Sequence, residues 1–147
     1  MSKIKVEDIQ GRTSTYEGIT LDTNSAVALK HSGDVKLQTD ADGITLLGSV
    51  KETIFTISDA SEVIIDPTNG TIQIWTIADG NRSINDNMAS GTAMVLIVNP
   101  TTFDIDWGTT VKWPDGTEPN LSSSNVNIFD LLKINNDLYV TLRGQYA

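Results

Sequence analysis

Apolar side chains recur along this chain mostly at every second residue, in short runs. Ile4 and Val6 alternate with Lys3, Lys5 and Glu7; Ile19 and Leu21 flank Thr20; Val27 and Leu29 alternate with Ala28 and Lys30; Val35 and Leu37 flank Lys36. A period of two sends successive side chains to opposite faces, so each run predicts a half-buried strand. Gly11, Gly18, Gly33 and Gly43 punctuate these runs and are expected as turns. Gly18-Ile19-Thr20-Leu21 is repeated as Gly43-Ile44-Thr45-Leu46. Strands this short, with one or two large apolar groups each, bury too little to be stable alone and need a partner surface. Residues 1–50 therefore read as a β-rich stem or anchoring segment that intertwines with other copies. The competing reading is a set of edge hairpins packed on the rest of the same chain.

Residues 51–147 read as a head domain. Thr53–Ile57 and Glu62–Ile65 are predicted strands. Asp66-Pro67-Thr68-Asn69-Gly70 is a turn, since Pro presets φ and Asn-Gly accepts positive φ. Thr71–Ile77 is expected to return from it as the second arm of a hairpin. Residues 78–92 are polar and predict a long connection. Ala93-Met94-Val95-Leu96-Ile97-Val98 is nearly all apolar and predicts a central strand covered on both faces. In Phe103-Asp104-Ile105-Asp106-Trp107 the aromatic and aliphatic groups alternate with carboxylates. Val126–Ile134 and Leu138–Leu142 pair as a closing hairpin across Asn135-Asn136-Asp137. That makes about seven strands, spaced as a β-sandwich of jelly-roll type requires. The fold class expected is all-β, a short stem followed by a sandwich head, with no long helix.

Composition narrows the chemistry. The chain has 147 residues, no cysteine and one histidine, so disulfides, thiolate metal sites and a cysteine nucleophile are excluded. A net charge of −9 argues against nucleic-acid binding by phosphate neutralisation. No apolar run is long enough to span a bilayer, and the first residues lack the apolar core of a signal peptide, so neither membrane insertion nor secretion by that route is expected. For that reason the glycosylation-like triplets at Asn81 and Asn120 are expected to stay unmodified.

Candidate sites are few. Asp104 and Asp106 are carboxylates one residue apart, a spacing compatible with a glycosidase pair, but a solvated strand face explains them fully. Asp40-Ala41-Asp42-Gly43 opens like a calcium loop yet lacks the later acidic ligands and closing Glu, and reads as a turn. His31, beside Ser32-Gly33-Asp34, has no nucleophile elbow to serve and reads as a turn residue. No catalytic, cofactor-binding or metal-binding residues are assigned. Trp75 and Trp107 lie in alternating runs and are expected in the core. Trp113 precedes Pro114 at a loop edge and is the ring expected to be exposed; with Asp115, at the Asp115-Gly116 turn, and Glu118 it makes the candidate for outward contact.

One series of motifs carries a resemblance. It runs through Glu52–Ala60, Ile65-Asp66-Pro67-Thr68-Asn69-Gly70-Thr71-Ile72-Gln73-Ile74-Trp75-Thr76, Ser90–Leu96, Val111-Lys112-Trp113-Pro114-Asp115-Gly116-Thr117-Glu118-Pro119-Asn120-Leu121, and Leu132–Gly144. Over residues 50–146 the chain resembles a head domain of tail-fibre and other virion proteins of tailed bacteriophages, notably marine ones. The resemblance implies a virion structural protein, not an enzyme, made in the host cytoplasm and built into the particle as a homotrimer. It implies a fibre- or spike-type appendage held to other virion proteins, of tail or capsid, by its N-terminal segment, with a head facing a host surface glycan or protein. A capsid decoration protein is the alternative, and the carbohydrate-binding module of a depolymerase a more distant one.

Overall fold

Strands account for nearly all the regular structure among the described residues of this chain. The structure is a computed structural model that describes residues 8–10, 18–21, 27–32 and 34–147. Among them the only helical pieces are two 3-10 turns, Pro67–Asn69 and Pro114–Gly116. The chain divides into two units, Met1–Lys51 and Glu52–Ala147.

The first unit is an antiparallel meander of five strands, β1 (Asp8–Gln10), β2 (Gly18–Leu21), β3 (Val27–His31), β4 (Asp34–Asp40) and β5 (Gly43–Leu46), paired in sequence order. Three of the alternating runs are thus strands; the Ile4–Val6 run, with Gly11 and Gly33, lies outside the described residues. Gly18 is not a turn: it opens β2 and pairs with Gln10 on one side and Lys30 on the other. The two Gly-Ile-Thr-Leu copies are β2 and β5. A single layer covers few of its own apolar groups: Ile44 is 69% exposed and Val50 66%.

The second unit contains β6 (Phe55–Ile57), β7 (Glu62–Ile65), β8 (Ile72–Trp75), β9 (Arg82–Asp86), β10 (Ala93–Val98), β11 (Ile105–Asp106), β12 (Val111–Lys112), β13 (Val126–Ile134) and β14 (Asp137–Tyr146). These do not form a jelly roll. From β6 to β11 the chain alternates between two sheets, and within each sheet successive passes are parallel: β6, β8 and β10 in one, β7, β9 and β11 in the other. Phe55 lies beside Gln73, Ile72 beside Val95, Glu62 beside Ser83 and Arg82 beside Ile105, so one coil takes 18 to 23 residues. This is a β-solenoid of stacked coils, in which each pass rests on its neighbours. The hairpin expected between Glu62–Ile65 and Thr71–Ile77 is therefore replaced by a corner: β7 and β8 belong to different sheets. The Asp66–Gly70 turn makes that corner, with Asp66 Oδ1 accepting from Thr68 N at 2.9 Å and Gly70 at φ 125°.

The polar stretch 78–92 is not a plain connection, because it contains β9. The solenoid ends in the expected antiparallel hairpin, β13–β14, which joins the first sheet beside β10 and gives it the order β12-β14-β13-β10-β8-β6. Alternation then sorts the side chains. Facing inward across this six-stranded sheet are the rows Phe55–Gln73–Leu96–Phe129–Leu142 and Ile57–Trp75–Val98–Asn127–Gln145, while Met94, Leu131 and Val140 start a third. Val63, Ile65, Ile84 and Ile105 from the three-stranded sheet close the core with Trp107. Each large apolar side chain fully buried here contributes about 1.5–3 kcal/mol by transfer from water. The strand Ala93–Val98 is central but covered on one face: Met94, Leu96 and Val98 are buried, while Val95 and Ile97 are only half-buried.

Candidate functional site

Position 113 begins with its neighbours in the chain. Pro114 fixes the entry to a tight turn in which Asp115 takes φ 57° and Gly116 φ 70°, a left-handed conformation that Asp tolerates and Gly accepts freely. Gly116 N donates to Trp113 O at 3.1 Å and Thr117 N to Pro114 O at 3.3 Å, so the turn holds the Trp113 backbone. The ring is half-buried rather than freely exposed. It meets Trp107 edge-on, with centroids 5.2 Å apart and planes at 87°, and Phe129 at 6.4 Å. Trp107 in turn packs on Phe129 at 5.0 Å. Such edge-to-face contacts add about 0.5–1.5 kcal/mol beyond area burial. Trp113 is a lid on the core, and only part of it faces outward.

Asp115 and Glu118 are exposed, as are Asp104 and Asp106 on the outer face of the three-stranded sheet. Partial burial, and then the charges of Asp104 and Asp106, push the Glu118 carboxyl up from its ordinary value. Glu118 thus feels both aspartates. Asp106 Oδ1 is engaged by Gly108 N at 3.0 Å. Among the described residues no group of His, Cys, Asp or Glu is placed to hold a metal ion. Asp40 Oδ1 accepts from Asp42 N at 2.9 Å and Gly43 N at 3.0 Å, so its oxygens close the β4–β5 turn. His31 lies at the end of β3, paired in the ladder with Asp34.

The structure also reveals three features that the pattern of the sequence hides. The first is a half-buried polar knot. Asp59 accepts from Arg82 Nε and Nη2 (3.1 and 2.8 Å), from Trp75 Nε1 at 3.0 Å and from Ala78 N at 3.0 Å. The hydrogen bonds from Arg82, followed by those from Ala78 and Trp75, outweigh burial and hold the Asp59 carboxyl well below the usual carboxylate range. The second is the ion pair of Lys133 with Asp86, 2.9 Å apart, whose side chains are 12% and 13% exposed. Arg82 and Asp86 are the two ends of β9. Charged residues at inward positions made this strand look like loop. The third is Asn127, fully buried, whose Oδ1 accepts from Ser122 N at 2.8 Å and Gln145 Nε2 at 2.9 Å. With Gln145 Nε2 also donating to Asn120 O at 2.9 Å, it pins the loop that follows Glu118 onto the sheet.

One concave surface stands apart from the Trp113 loop. A groove of about 630 Å³ runs over the outer face of the six-stranded sheet, lined by Glu52, Thr71, Ile72, Val95, Leu132 and Tyr139 among others. Glu52 reaches across to accept from Thr71 Oγ1 at one rim, and Asp130 and Arg143 form an ion pair at the other. No known protein family, no curated protein and no solved structure matches the chain.

Proposed function

We propose that this chain is a bacteriophage virion structural protein without enzymatic activity, a short fibre- or spike-type surface appendage that assembles as a homotrimer. The N-terminal meander anchors it to other virion proteins, and the solenoid is presented outward, where the Trp113, Asp115 and Glu118 loop touches a host surface glycan or protein. The observation that carries this reading is how the half-buried charges are used. Asp59 with Arg82, and Asp86 with Lys133, neutralise each other as ion pairs whose side chains are only 12–16% exposed. An active site turns such groups toward substrate; a scaffold spends them on holding coils together. The exposed apolar groups of the meander, Ile44, Leu46, Leu47 and Val50, support an anchoring role, because a partner surface would cover them. The series of motifs set out above supports the virion assignment.

Antibody labelling of purified particles tests it. Label confined to one tail position is expected. Label spread over the capsid lattice would replace the appendage by a decoration protein, and particles without label would overturn the virion reading. Particles whose chain carries Asp115→Asn and Glu118→Gln, exposed changes that leave the Trp113 packing in place, are expected to assemble normally and to adsorb more slowly; unchanged adsorption would remove the receptor role.

A further inference from the structure

The two outer faces of the solenoid have opposite compositions, although the same turns of chain produce both. On the three-stranded sheet the outward residues include the row Glu62–Ser83–Asp106 and the pair Ile64–Asn85. Asp104 is exposed close by, and Glu118 senses both aspartates. None of the ion pairs found among the described residues involves these four carboxylates. This face is acidic and built for water.

On the six-stranded sheet the outward rows are Thr56–Ile74–Ile97–Ile128, Ile72–Val95–Asp130–Thr141 and Ala93–Leu132–Tyr139–Lys112. Eight of these twelve side chains are Ala, Val, Ile, Leu or Tyr. The strand positions that bear charge are internally compensated: Asp130 pairs with Arg143, and Lys112 with Asp137 at 3.5 Å. The face is also uneven. Leu132 and Tyr139 stand out as a ridge, 40% and 43% exposed, that lines the same groove as Ile72 and Val95.

We infer that this face is where copies of the chain pack against one another. A chain with a net charge of −9 repels its own copies over most of its surface. The strands of this face present apolar groups and balanced ion pairs, with Glu52 at the groove's rim the carboxylate outside those pairs, so two copies meet here with less like-charge repulsion than on the acidic face. A surface that carries a ridge and a groove side by side fits a copy of itself, as the contacts of symmetric oligomers require. The Leu132–Tyr139 ridge of one copy lies in the Ile72–Val95 groove of the next, and water leaves both. The inference deepens the proposed self-assembly by naming the surface, and it does not depend on where in a virion the protein sits.

The test measures the mass of the full chain by light scattering and sedimentation, from about 1 to about 100 µM, where mass action shifts any association. The expected result is a dimer or trimer that falls to a single chain in Leu132→Glu and in Tyr139→Glu, while Ile64→Glu on the acidic face leaves the assembly intact. Circular dichroism checks that each variant is folded. The absence of cysteine gives a second measurement that needs no disruptive change. Thr141→Cys, on the apolar face, is expected to give a covalent dimer on oxidation, since one thiol per chain joins two chains, and Asn85→Cys, on the acidic face, to stay single. A wild-type chain that remains monomeric throughout overturns both the inference and the self-assembly it builds on. Assembled mass that persists in folded Leu132→Glu and Tyr139→Glu, or cross-linking through Asn85→Cys instead of Thr141→Cys, overturns only the choice of face.

Discussion

Asp59 shows how one side chain can tie together parts of the chain that lie far apart in sequence. It bonds Trp75 on β8, Arg82 on β9 and the backbone between them. Asp59→Asn leaves the guanidinium without its counter-charge and is expected to lower the thermal midpoint far more than Asp104→Asn, whose carboxylate is exposed. The dependence on pH has a definite sign. The native carboxyl lies below its ordinary value of 3.8, so its contribution is present above that value and is lost as pH falls through the lower native one. Acid unfolding followed by tryptophan fluorescence is therefore expected to flatten below about pH 4 in Asp59→Asn. Glu118 has the opposite sign. Its native carboxyl is raised above 4.5, so its protonated form favours the fold, an advantage present below that value and lost as pH rises through the native one. Glu118→Gln is expected to raise the thermal midpoint slightly at neutral pH, with the difference from wild type closing below about pH 4.5. Core residues answer to packing instead: Trp75→Ala is expected to cost about 3–5 kcal/mol in denaturant unfolding.

Strands were read from the sequence where one face is apolar and lost where it is not. Glu62–Ile65, Ala93–Val98 and the closing hairpin show alternation or continuous apolar character, and each is a strand at those positions. Arg82–Asp86 shows neither, because its inward ends are charges neutralised by Asp59 and Lys133, residues distant in sequence. Pairing was harder to read than the strands themselves. The Asp66–Gly70 turn has hairpin chemistry, yet it turns the chain between two sheets, and nothing local separates a corner from a hairpin. Parallel pairing about 20 residues away leaves no mark in a window as short as a strand. The candidate site was read in part: the turn at Asp115-Gly116 and the exposure of Glu118 were visible, but the half-burial of Trp113 depends on Phe129, on a different strand. Gly70 tests the corner. At φ 125° an added Cβ meets Thr53 O at 3.2 Å, so Gly70→Ala is expected to destabilise by about 1 kcal/mol or more, measured by denaturant unfolding.

At the scale of the molecule, the buried apolar core found among the described residues belongs to the second unit. Residues 52–147 expressed alone are expected to melt cooperatively with an intact near-ultraviolet tryptophan signal, whereas residues 1–51 alone are expected to be unfolded or aggregated. Ending the chain before Val126 removes the hairpin and bares the edge of β10, and an insoluble product is expected. The stacking of like coils, sealed at one end by a pair of strands running against the grain, also has a genetic consequence. An in-frame duplication spanning one coil would insert another rung between existing ones and disturb neither the N-terminal meander nor the closing hairpin. Replication slippage over some twenty codons would then change the length of the solenoid in discrete steps, each available to selection without first breaking the fold.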